Sequence, residues 1–158
     1  MSFPTSQRNT AWSTFVSVLK ADPVLKREIK TLKSWSGDPK DAEDFSIGLE
    51  PYIRLTPRPD QSEFASNTSI RADIVVDVEI ALKGTNVSDI LDAWGAIELA
   101  LYPKDHATRT ARILRLEAAG IRAVEPILGG WAIKNDGGQV LQAHGTIRLV
   151  YFQVLKPN

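Results

Sequence analysis

The clearest periodicity in the chain lies in residues 70–82. Ile70, Ala72, Ile74, Val76, Val78, Ile80 and Leu82 fall on one parity, while Arg71, Asp73, Val75, Asp77, Glu79, Ala81 and Lys83 fall on the other. Such alternation predicts a strand with one face toward a core and one toward water. At about 3.3 Å per residue, about 13 residues span roughly 40 Å. Common strands hold about 5–6 residues, so this one bends or reaches beyond its own domain. A second long strand is predicted from about Gln139 to Leu155. Leu141, Ala143, Ile147, Leu149 and Tyr151 share one of its faces, and Gln142, His144, Thr146 and Arg148 share the other. Beyond Val150 both faces are apolar, which predicts cover on both sides. Gly145 marks a bulge or bend within it.

Helical spacing appears elsewhere. Trp12, Phe15, Val16 and Leu19 predict a helix over residues 8–21, stopped by Asp22-Pro23. Residues 24–35 fit both periods: Leu25, Ile29 and Leu32 suit a helix, while Ile29, Thr31, Lys33 and Trp35 alternate. Ser36-Gly37-Asp38-Pro39 is a break, and residues 38–50 have a loop-like, acidic composition. Pro51 to Thr56 reads as a short strand ended by Pro57 and Pro59, and residues 58–68 as an exposed loop. Gly84 ends the 70–82 strand. Asn86 is placed to cap a helix, with Asp89 near its positive end. Val87, Ile90, Leu91, Trp94, Ile97 and Leu101 form that helix's apolar face, and Tyr102-Pro103 closes it.

A third helix is predicted over 105–119, with Gly120 at its C-terminus and a thin apolar face of Ala107, Ala111, Leu114 and Ala118. Residues 121–128 read as a strand and Gly129-Gly130 as a turn. Trp131 to Lys134 and the run from Gln139 then form a hairpin around residues 135–138. Segregated strands and helices point to an α+β fold. We expect a mostly antiparallel sheet, helices packed on one face, and a single domain over residues 1–158.

Composition narrows the function. A chain of 158 residues buries roughly 70% of its unfolded surface, enough for a core without staples. Nineteen basic residues balance nineteen acidic ones, which argues against a general nucleic-acid binder. With no cysteine, disulfides, thiolate metal sites and cysteine nucleophiles are excluded. No apolar run is long enough to span a membrane. MSFPTSQRNTAW does not read as a secretory signal. Without one, the glycosylation patterns at Asn67 and Asn86 read as chance matches.

Candidate chemistry is sparse. His106 and His144 sit in different elements, and neither has a second nitrogen ligand nearby in sequence, so no metal site is expected. Nucleophile-elbow, phosphate-loop and dinucleotide fingerprints are missing. Asp38, Asp41, Glu43 and Asp44 lack the spacing of a calcium loop and read as a solvated loop. Asp73, Asp77 and Glu79 share one strand face, and two of them lie roughly 7 Å apart, a spacing that imitates a catalytic carboxylate pair. Arg109, Arg112 and Arg115 form an i, i+3, i+6 row. With Lys104 and Arg122 this basic stretch fits an acidic partner or DNA on one side and a solvated helix face on the other. No aromatic interleaves the row, against single-strand stacking. We expect no enzyme activity, no catalytic residues, no cofactor and no metal.

The order and texture of the whole chain resemble the tail-terminator (minor tail, tail-completion) proteins of long-tailed bacteriophages. The resemblance runs through LKADPVLK (19–26), PYIRLTP (51–57), IRADIVVDVEIAL (70–82), NVSDILDAWGAIELALY (86–102) and QVLQAHGTIRLVYFQV (139–154). It implies a homo-hexameric ring on the tail tube that stops tube polymerisation and offers the head connector a docking surface. Implied partners are other copies of the chain, the tail tube protein and head-connector or neck proteins, with viral DNA passing the lumen unread. The implied location is the virion tail or neck, assembled in the host cytoplasm. Neck and head-closure proteins share this size and texture. The basic helix at 105–119 departs from shorter relatives.

Two further function classes stay open at this point, a nucleic-acid-binding module using the 104–122 basic helix and a small hydrolase using the Asp73, Asp77 and Glu79 face. Under the ring reading, Arg71, Asp73, Asp77 and Glu79 are expected at a joint between copies, where opposite charges meet. Arg109, Arg112 and Arg115 are expected against an adjacent subunit or the tube.

Overall fold

The computed structural model describes residues 4–29, 31–34, 51–66, 69–134 and 140–154. The predicted acidic loop at 38–50 and the hairpin tip at 135–138 lie outside the described residues.

Ser6 starts the first helix, α1 (Gln7–Ala21), by accepting a hydrogen bond from the Asn9 N–H. Ala11, Phe15, Val18 and Leu19 recur on the buried side of α1. Asp22 then ends α1 and caps α2 (Pro23–Glu28), taking the N–H groups of Val24 and Leu25, with Pro23 in the first turn. The two-period stretch at 24–35 therefore divides: its first half is α2 and its second contains a short strand, β1 (Thr31–Ser34).

Four long strands follow: β2 (Tyr52–Ser66), β3 (Ser69–Lys83), β4 (Ile121–Lys134) and β5 (Val140–Val154). Between β3 and β4 run α3 (Val87–Leu101) and α4 (His106–Ala118). The sheet order is β1-β2-β3-β5-β4. Its four long strands are antiparallel, and β1 alone is parallel to its neighbour. The fold is α+β as expected. β3 lies in the centre, and its register puts Ile74 opposite Leu149, Val76 opposite Ile147 and Ile80 opposite Ala143, all buried under the helices.

Several sequence expectations change. Pro57 and Pro59 do not end β2, and residues 58–66 are strand, not loop. Two residues apart, the prolines present their nitrogens to the same side. β1 reaches only as far as Leu55, so among the described residues β2 has no outer neighbour beside the prolines, and a proline nitrogen turned to that side costs no ladder bond. Gly129-Gly130 is not a turn. It lies inside β4, where the register shifts between Leu128 and Gly130. The extra residue turns Trp131 and Ile133 to the helix side of the sheet, opposite Ala143 and Leu141. Leu91 is exposed rather than buried, and Ala100 takes its place on the buried face of α3.

The apolar face expected on α4 is also reversed. Ala107, Ala111, Leu114 and Ala118 face solvent, and Leu116 is buried. Asp105 caps α4, accepting from the Thr108 N–H and hydroxyl. The Thr108 backbone N–H, then its hydroxyl, holds the Asp105 carboxyl below its ordinary value. The cap's contribution is therefore complete above the ordinary carboxylate range and is lost as pH falls through the lowered pKa. Gly120, at φ +85°, closes the helix in the left-handed region.

Candidate functional site

The helices pack on one face of the sheet. The opposite face is built from the second parity of each strand. Register aligns Arg54 with Glu79 and His144, and Thr56 with Asp77, Thr146 and Ile127. One row further lie Arg58, Val75, Arg148 and Glu125. The expected residues Arg71, Asp73, Asp77 and Glu79 thus do share one face.

Their charges meet inside the chain. Arg54 pairs with Glu79 at 2.9 Å, and Arg58 with Asp77 at 2.7 Å. Asp73 lies between Arg71 at 3.8 Å and Arg148 at 3.9 Å. Glu79 is held further by the Tyr52 hydroxyl, which donates at 3.2 Å, and by the Gln142 amide. Tyr52, Ala81 and Gln142 are buried, although they lie on this side of the sheet. Catalysis by a carboxylate pair needs a base and an acid turned to a common reacting atom. Here Glu79 is committed to three donors and Asp77 to a guanidinium. The shallow concavity of about 470 Å³ around Arg54, Asp77, Glu79 and His144 is a polar, ion-paired surface. Among the described residues no group of three or more histidine or acidic side chains is gathered to hold a metal. Among them, too, no helix is long and apolar enough to cross a membrane.

Arg109 and Arg112 are half-buried and turned onto backbone carbonyls, while Arg115 stays exposed. Arg112 donates to the Ala100 carbonyl at 2.9 Å and to the Val18 carbonyl at 3.3 Å. Those carbonyls belong to the last turns of α3 and α1, where no intrahelical N–H reaches them and the helix dipole is negative. Arg109 donates to the Pro103 and Lys104 carbonyls, and Arg115 to the Ser17 hydroxyl at 2.8 Å. Arg112 and Arg115 therefore tie α4 to α1 and α3, Arg109 braces the segment that leads into α4, and these bonds compete with any use of Arg109 and Arg112 on phosphate. Arg112→Met is expected to cost about 1.5–3 kcal/mol, because charge-assisted bonds to half-buried carbonyls are lost. Arg115→Ala, at an exposed site, should stay within about 0.5 kcal/mol. Urea midpoints of the two variants measure the difference.

Sequence reasoning missed the edge of β4. Ile127, Trp131 and Ile133 are 61%, 50% and 49% exposed. Among the described residues β4 pairs only with β5, so these apolar side chains border a row of backbone groups without a strand partner there. Their signal was present as three large apolar residues in a short stretch, but the bulge that splits them between faces was invisible.

No family model matches the chain, and no curated protein matches it. A solved structure of a protein from Akkermansia muciniphila aligns over 100% of this chain and 84% of its own, at 10% identity and a TM-score of 0.32. Likeness at that level carries no argument.

Proposed function

We propose that this chain is a structural virion protein, a subunit of a homo-hexameric ring that caps the tail tube of a long-tailed bacteriophage. The ring ends tube polymerisation and joins the tail to the head connector. The observation that carries this reading is the pair of uncovered sheet edges. At one side of the sheet, β2 runs from Thr56 to Ser66 with no outer neighbour among the described residues. At the other side, β4 has no outer neighbour among the described residues. Uncovered edges are templates for another chain. Two different edges joined head to tail make a heterologous contact, which closes into a ring if the rotation is right. The prolines and bulges limit which stretches can pair, which favours one register.

The ion-paired face opposite the helices then lines the lumen. Its arginines and carboxylates cancel each other, so passing DNA meets a polar wall that holds no phosphate strongly. This moves the expected joint from the charged face to the edges. Tail tube and connector proteins are the partners, and the particle's tail or neck is the location. Particle images and two-dimensional class averages of the protein on tail tubes test the reading, with six-fold rings expected. Trp131→Glu with Ile133→Glu should leave circular dichroism unchanged, since both side chains are exposed, and abolish the rings. A wild-type chain that stays monomeric on the tube would end the ring proposal.

A further inference from the structure

Among the described residues, the helix layer carries an unfilled groove on its outer surface. We propose that this groove, between α2, α3 and the start of α4, is the docking site for a basic amphipathic helix of a partner protein. It has a volume of about 600 Å³. Its floor is an i, i+4, i+8 row on α3: Leu91, Gly95 and Leu99. Val24 forms one wall, and Pro103 with Thr108 closes one end. Leu91, Leu99 and Val24 are all exposed. The two leucines stand about 12 Å apart along the axis, two helical turns, with the glycine between them.

Gly95 is the informative residue. A mid-helix glycine weakens a helix relative to alanine. Here a Cβ would meet nothing within 4 Å, so no packing among the described residues requires the glycine. The notch makes sense when something outside the chain fills it. An apolar knob from a helix lying along α3 fits between Leu91 and Leu99, the helix-in-groove mode of recognition.

Charge selects the occupant. The groove's rim carries Asp22, Asp92 and Asp105 against Lys104. α3 itself contains Asp89, Asp92 and Glu98 and no basic residue. A second copy laid groove to groove would set these acids against one another. A helix with lysine or arginine flanking its apolar stripe meets opposite charge along the rim.

The test needs no knowledge of the partner and does not depend on ring formation. The isotope-labelled full chain is titrated with a Leu/Lys amphipathic peptide of about 18 residues, five turns, and with its Leu/Glu counterpart. Saturable shifts of the Leu91, Gly95 and Leu99 amides are expected with the lysine peptide, and affinity at least about tenfold weaker with the glutamate one. Gly95→Leu, which fills the notch and raises helix propensity, should weaken lysine-peptide binding by at least about tenfold without lowering the thermal midpoint. Asp92→Lys should narrow the preference between the peptides. The proposal is overturned if the lysine peptide leaves those amides unmoved, if both peptides bind alike, or if neither variant changes binding. It is overturned equally if wild type dimerises through this groove and Gly95→Leu abolishes the dimer, since the occupant is then a second copy.

Discussion

Trp94→Ala should cost about 3–5 kcal/mol in a urea titration, among the largest effects of any single change in this chain. Trp94 descends from α3 onto the centre of β5, buried among the core residues of the sheet. Its ring lies over Gly145. A Cβ built on Gly145 would stand 2.5 Å and 2.6 Å from the Trp94 Cη2 and Cζ3 atoms and 2.8 Å from the Ile127 carbonyl oxygen. The bulge lies across the ladder in β4, between Leu128 and Gly130, and β5 itself stays in register with β3 through Gly145. The glycine of β5 is therefore room for an indole, not a bend. Gly145→Ala alone should cost about 1–3 kcal/mol by overpacking. In a Trp94→Ala background part of that cost should vanish, because two of its three close contacts are gone and the approach to the Ile127 carbonyl remains. Simple additivity of the two changes, within about 0.5 kcal/mol, would show that the indole does not set the need for glycine.

The sequence was most legible where one physical rule acted alone. β3 sits between two strands along its length, so alternation translated directly into buried and open faces. Asn86 and the helix it caps were equally clear, since capping is local. Legibility failed where tertiary context outweighed local chemistry. Pro57 and Pro59 read as terminators, yet a proline on an uncovered edge costs no ladder bond. Gly129 and Gly130 have turn composition, and only the register across β5 shows a bulge. α4 was misread most completely: its alanines marked the outer side, and Arg109 and Arg112 were turned onto backbone carbonyls. Polar ends of half-buried arginines can satisfy helix carbonyls, and nothing in a single helix's periodicity reports where another helix ends. The charged face was legible as a set of residues, but its energetics were not. Opposite charges expected to meet between copies meet within one chain, because the partners Arg54 and Arg58 lie on β2, in a stretch read as a short strand running into a loop.

The second large effect concerns β3. Ile74→Ala or Ile80→Ala should each cost about 2–5 kcal/mol, whereas Asp77→Ala should cost no more than about 1 kcal/mol. Ile74 and Ile80 are buried between the central strands and the helix layer, so truncation leaves a cavity that neighbouring strands cannot close without shifting register. Asp77 lies between them in sequence and on the opposite face. Its pair with Arg58 is exposed on both sides, at 44% and 59% of side-chain area, where solvent screens the attraction. The contrast measures the register itself, since a slip of one residue would exchange the two faces and reverse the order of the effects. A larger loss at position 77 than at position 74 would place β3 one residue away from the pairing described, and equal losses would show that the two faces are not separated as described. The expected order also says what the open face is free to do. If Asp77 contributes little to folding, position 77 on that side of the sheet can be substituted by lysine or asparagine without unfolding the chain. Changes in assembly or DNA passage caused by such variants can then be assigned to that surface.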